Sequence, residues 1–208
     1  MARGVRRFLV LACPLFLLAA CAIGDQVIVP GELKRPPDAA KAPVAAPQVV
    51  VLDFEHTAPA PGVVGRDFDH VRPIEWKGEP GKAMADLVAG VLAEKGVGVF
   101  RVALDGPALG TGLVRVTGQV RRFEVNARRR GGVKIVNEAA VSLTVTAAGG
   151  SLSAPVSFTA TSTASADDMF VTEDGLRQVL FSCANSAAEE VARRLLEAGA
   201  VAPAPSGK

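Results

Sequence analysis

Residues 133–146, VKIVNEAAVSLTVT, decide the architecture. Val133, Ile135, Ala139, Val141, Leu143 and Val145 share one parity, and Lys134, Glu138, Ser142, Thr144 and Thr146 share the other. Successive side chains of a strand point to opposite faces, so this stretch reads as a strand with one dry and one wet face. A wet face excludes a sheet covered on both sides and makes the sheet antiparallel here. Gly149-Gly150 then supplies a hairpin turn into Leu152, Ala154, Val156, Phe158 and Ala160, with Pro155 on the opposite parity marking an edge strand. Upstream, Val114, Val116, Gly118 and Val120 share a parity that moves to Phe123, Val125 and Ala127. A slip of one residue in a period of two predicts a β-bulge near Arg121-Arg122.

Outside this meander the period changes. Met84, Leu87, Val88, Val91 and Leu92 fall at i, i+3, i+4, i+7 and i+8, and Gly96 follows, which predicts an amphipathic helix with a glycine stop. A second helix is predicted from about Thr172 to Glu197, with Leu176, Val179, Leu180, Cys183, Ala187, Val191 and Leu195 as its apolar stripe. Glu189 with Arg193 and Glu190 with Arg194 would form i, i+4 pairs on its outer side. Gln48 to Phe54 is a short β-branched apolar run, read as a buried strand, and Val97 to Val102 supplies another. Residues 56–80, punctuated by Pro59, Pro61, Gly62, Gly65, Pro73, Gly78 and Pro80, read as a long irregular loop. The order strand, helix, strand, three meander strands, helix gives an α+β two-layer sandwich, a four- to five-stranded mainly antiparallel sheet with two helices on one face.

The N-terminus carries an address. Arg3, Arg6 and Arg7 precede the 13-residue apolar run Phe8 to Ala20, too short for a spanning helix but right for a secretory signal. Residues 1–20 are thus the signal peptide, 21–47 a Pro- and Ala-rich tether, 48–197 the folded domain and 198–208 a tail. The chain of 208 residues has 23 Lys and Arg against 21 Asp and Glu. Loss of the three signal arginines turns the formal charge from +2 to −1, which argues against a nucleic-acid partner. Of three cysteines, Cys13 leaves with the signal and Cys183 lies on the helical stripe, where a buried structural thiol is expected. With Cys21 acylated as below, no intramolecular disulfide is available.

Leu18-Ala19-Ala20-Cys21 resembles the bacterial lipobox, whose cysteine receives diacylglycerol on its sulfur. This resemblance implies lipidation of Cys21, and Ala22 in place of Asp implies the outer membrane, with the folded part facing the periplasm. The lipobox, the tether, the segment Gly81 to Gly96, three polar-alternating strands with a Gly-Gly hairpin and a final helix together resemble the YajG-like bacterial lipoproteins over most of the mature chain. Val50-Val51-Leu52-Asp53-Phe54-Glu55 is also similar to the first strand of CsgG-type and TolB N-terminal-type envelope domains. The resemblance implies a non-enzymatic accessory or assembly factor of the cell envelope, with an envelope protein as partner and no cofactor. An auxiliary lipoprotein of an ABC-type envelope lipid transporter is the competing family. Its members begin folding soon after the anchor with a Tyr-containing strand, whereas this chain has no Tyr and a long tether. A CsgG-like oligomeric scaffold is a third reading.

Chemistry-bearing residues are few. Asp53, Glu55, His56, Asp67, Asp69 and His70 offer oxygen and imidazole ligands around the 56–80 segment, but their spacing matches no metal-binding loop, and a solvated acidic loop is expected. Gly78 to Lys82 fails as a phosphate loop, because Trp76 and Ala83 stand where the motif needs Gly and Ser or Thr. No G-x-S-x-G elbow occurs, and two histidines leave little room for a triad, so a hydrolase is disfavoured. Arg121, Arg122, Arg128, Arg129, Arg130 and Lys134 gather around one hairpin, a candidate contact for lipid phosphates or an acidic partner. The plainer reading of the same cluster is a charged, aggregation-resistant hairpin end.

Overall fold

The structure is a computed structural model that describes residues 26–28, 48–57, 62–67, 72–103, 112–132 and 134–203. The signal segment, Cys21, most of the tether, Asp69 and His70 lie outside them. The main sheet has six strands: β2 (Val49–Leu52), β3 (Glu55–His56), β6 (Val99–Val102), β7 (Val114–Arg129), β8 (Ile135–Gly149) and β9 (Val156–Asp168). Their order is β6-β2-β7-β8-β9, with β3 also pairing β7. A second, three-stranded sheet has the order β1-β5-β4, from β1 (Gln26–Ile28), β4 (Val63–Asp67) and β5 (Arg72–Trp76).

The α+β arrangement is as the alternation predicts, with a larger and mixed sheet. β7, β8 and β9 are antiparallel, and β2 runs parallel to both β6 and β7. The parallel edge arises because α1 (Pro80–Glu94) returns the chain to the sheet beside β2, and a crossover through a helix delivers a parallel strand. The expected bulge lies between Val120 and Arg122. It lets Val116 and Val120 before it, and Phe123 and Val125 after it, share the buried face.

On that face α2 (Glu173–Glu197) packs over β8 and β9 and beside α1. Thr172 caps it, its hydroxyl accepting from the Gly175 N–H at 3.1 Å. Both helices end in the same way. The Gly96 and Val97 N–H groups bond the Ala93 and Leu92 carbonyls, and Gly199 and Ala200 bond Leu196 and Leu195. This is the Schellman closure, which needs the left-handed backbone seen at Gly96 (φ +80°). The second closure tucks Ala200 and Val201 into the core, so the residues read as the start of a tail instead finish the domain.

Two other expectations are corrected. Within 56–80, Val64, Ile74 and Trp76 are buried, and this segment forms β4 and β5 as well as the end of β3 instead of an irregular loop. Burial of a few apolar side chains outweighs the Gly and Pro punctuation, of which Gly65 and Pro73 lie within the strands. Within the tether, Gln26–Ile28 adds to β5 in parallel, Gln26 opposite Ile74 and Ile28 opposite Trp76. On α2, Glu190 pairs with Arg194 as expected, at 2.6 Å. Glu189 instead meets Lys95 at 2.8 Å, because the end of α1 reaches it across the helix layer.

Candidate functional site at the basic hairpin and the open sheet face

The β7–β8 hairpin places the six basic residues by the arithmetic of the pleat. Arg122 and Arg128 stand opposite Ser142 and Val136, on the face that no helix covers. Arg121 occupies the bulge and is exposed. Arg129, Arg130 and Lys134 surround the turn, where the Arg130 N–H donates to the Lys134 carbonyl at 2.8 Å. Arg121 and Arg122 lie about 20 Å from this turn at roughly 3.3 Å per residue. The structure therefore brings together Arg128, Arg129, Arg130 and Lys134 at the turn, with Arg122 meeting Arg128 only across a depression of the open face and Arg121 set apart.

Much of this charge is answered locally. Arg122 donates to Glu124, which raises the guanidinium pKa above its ordinary value. Arg128 lies 3.5 Å from Glu138. Lys134 meets Asp167 at 2.5 Å, and this hydrogen bond holds the carboxylate below its usual range. The last two pairs were not legible in the sequence because their acids come from β8 and β9, across the strand register, whereas Glu124 lies on β7 two residues from Arg122.

Beside them the open face forms a depression of about 330 Å³ lined by Arg122, Glu124, Asn126, Arg128, Glu138 and Thr163, among others. Further along, Ser142 and Thr161, Thr144 and Thr159, and Thr146 and Ser157 bond across the β8–β9 ladder at 3.0–3.4 Å. This is a solvated hydrogen-bonding surface with both signs of charge. It suits a polar partner.

The acidic and imidazole candidates are dispersed. Asp53 and His56 line a second depression of about 340 Å³ with Glu79 and Lys82. Asp53, however, accepts from Arg101 at 2.5 Å, and Glu55 accepts from Gln119 at 3.2 Å. Burial lowers the His56 pKa, which favours the neutral imidazole. Asp67 is fully buried on β4, well apart in the second sheet. Among the described residues no three His, Cys, Asp or Glu side chains converge on one point, and Asp69 and His70 lie outside them.

Sequence reasoning missed the buried polar residues. Neither oxygen of Asp67 and neither polar atom of Asn137 has a hydrogen-bond partner among the described residues. Asn137 sits on the buried parity of β8, opposite Ala127, a position that the alternation alone would fill with an apolar side chain. Cys183 is where the stripe puts it, fully buried, its Sγ donating to the Ser162 carbonyl at 3.2 Å.

No family model matches the sequence, and no curated protein does. Among solved structures, the fold is similar to that of protein XCC0632 from Xanthomonas campestris, of family DUF330, at 17% identity and a TM-score of 0.50, covering 85% of this chain and 94% of that one. A minor lipoprotein from Acinetobacter baumannii aligns at 10% identity and a TM-score of 0.37, over 78% of this chain and 98% of that one. The first likeness shows that the overall fold is shared with a solved bacterial protein.

Proposed function

We propose that this protein is a lipoprotein anchored in the outer membrane through Cys21, facing the periplasm, and acting without catalysis as an accessory or assembly factor for another envelope component. The observation that carries the reading is the lipobox-like Leu18-Ala19-Ala20-Cys21 after a short apolar signal, joined to a folded domain that presents a broad polar sheet face. In this reading the multiple acyl chains exceed the two signals needed for stable anchoring. Arg128, Arg129, Arg130 and Lys134 are the contact for anionic groups of the envelope, and the open face is the contact for a protein partner.

Cross-linking and co-purification from envelopes at native expression, with Cys21→Ala as the unanchored control, test this. A specific protein recovered with the anchored chain and lost in the control is the expected result. Recovery of no partner, or of the same partner without the anchor, would overturn it.

A second reading, the auxiliary lipoprotein of an ABC-type envelope lipid transporter, is favoured by β1. Its strand Gln26–Ile28 begins five residues after Cys21, and that early start of the fold removes the long tether that counted against this reading. Recovery of transporter subunits in the same cross-linking experiment is its expected signature.

A further inference from the structure

Met169 and Phe170 are 70% and 69% exposed, adjacent in the turn from β9 to α2. The turn is held in place by its own hydrogen bonds. Asp168 Oδ1 accepts from the Met169 N–H at 2.7 Å and from the Phe170 N–H at 3.4 Å. The register fixes where the two side chains emerge. Asp168 stands opposite Ile135, and Ile135 stands opposite Arg129. Met169 and Phe170 therefore leave the sheet at the same end as Arg129, Arg130 and Lys134.

The start of β1, at Gln26, faces that end too. Trp76 packs edge-on against Phe123 at 5.1 Å, Gly65 lies against Val125, and the Arg66 N–H donates to Asn126 Oδ1 at 2.9 Å. β4 thus advances along β7 from the level of Phe123 towards the hairpin turn. β5 runs antiparallel to β4 and β1 runs parallel to β5, so β1 runs away from the turn and Gln26 is its end nearer the turn. Cys21 precedes Gln26 by five residues, a reach of at most about 18 Å.

We propose that this end of the molecule seats on the bilayer that holds the anchor, with Met169 and Phe170 in the boundary between headgroups and acyl chains and Arg129 and Arg130 at the depth of the lipid phosphates. The proposal rests on the lipidation of Cys21 given above. The occupant follows from the short span to the anchor, which leaves this end of the domain next to the membrane surface. Because Glu138 and Asp167 pair with Arg128 and Lys134, the apolar pair supplies more of the contact than net charge does. A lipid interface also suits an exposed apolar pair that shares its end of the sheet with Arg129 and Arg130, since it offers acyl chain and phosphate a few ångströms apart.

The test uses the acylated chain in vesicles of phosphatidylethanolamine and phosphatidylglycerol with brominated acyl chains. Trp76 is only 3% exposed and stays out of reach of the quencher, so Phe170→Trp adds a reporter at the proposed contact. Ser151→Trp adds one beside Gly149-Gly150, at the far end of β8, about 45 Å away at roughly 3.3 Å per residue. Quenching of the Phe170→Trp signal by about twofold with no change for Ser151→Trp is expected. Equal quenching, or stronger quenching at 151, would overturn the orientation. A photoreactive residue at 170 that cross-links to protein in place of lipid would overturn the occupant. The mass of the N-terminal peptide from the same preparation reads acylation separately, and an unacylated Cys21 overturns the anchor together with the orientation built on it.

Discussion

Gly65 of β4 lies against Val125 of β7 so closely that a Cβ on the glycine would fall 1.6 Å from the Val125 carbonyl oxygen. No rotamer change relieves a clash between two backbones, so the second sheet must lift from the first. Gly65→Ala should destabilise the domain by about 3 kcal/mol, at the upper end of overpacking effects, as measured by urea unfolding followed through Trp76. Gly90→Ala is the contrasting control. Its Cβ would meet nothing within 4 Å in the middle of α1, and it should stabilise by up to about 1 kcal/mol through helix propensity.

Arg101 clasps three elements. Its guanidinium reaches Asp53 at 2.5 Å, Asp86 of α1 at 2.8 Å and the Val51 carbonyl at 2.7 Å. Charge-assisted bonds at a partly buried site contribute more than surface pairs. Arg101→Ala should therefore cost about 2 kcal/mol in chemical denaturation. Asp86, whose side chain is 54% exposed, should cost less than about 1 kcal/mol when changed to Ala.

Burial pushes the Cys183 thiol above its ordinary value. The native protein should resist iodoacetamide at pH 8 and react fully once unfolded. As pH rises the unfolded chain loses this proton first. The stabilisation by the neutral buried thiol is complete below the ordinary thiol range near pH 8.5 and is lost as pH climbs towards and through the higher folded value. Cys183→Ala should flatten this alkaline limb of stability, measured by denaturant midpoints against pH.

His56 gives the opposite limb. Desolvation lowers its pKa in the folded state, so the unfolded chain binds the proton first as pH falls. The contribution is complete above the ordinary imidazole value of about 6.5 and is lost as pH falls from there through the lower folded value. His56→Asn should make stability less sensitive to acid over that window, by the same denaturation series.

Substituting Arg128, Arg129 and Arg130 together by Gln should leave stability within about 0.5 kcal/mol, because these side chains are exposed. Retention of the Cys21→Ala chain on phosphatidylglycerol vesicles should fall, and fall further when Met169 and Phe170 are also changed to Ser. Retention unchanged by the arginine substitutions would remove the hairpin as an anionic contact.

The parts of the fold legible in the sequence are those with one wet and one dry side. Ile135 to Val145 and the stripe from Leu176 to Leu195 repeat with the period of their own backbone, so pattern alone places them. β4 and β5 leave no such trace. Val63 to Asp67 has its glycine where β7 presses on it, and Pro73 sits inside β5, so each residue answers to a neighbour far away in sequence. The same holds at the hairpin, where the sequence shows six cations and the register supplies Glu138 and Asp167 as partners to two of them.

The sequence by itself determined the meander with its bulge at Arg121, the two helices with the glycine stop of the first at Gly96, and the apolar place of Cys183, because period and turn chemistry are local properties. Only the tertiary structure decided that β1 joins the fold, that Glu189 turns to Lys95, and that Met169 and Phe170 share an end with Arg129 and Arg130. Those outcomes depend on strand order and register, which are set by how separate faces bury one another and leave no periodic mark along the chain.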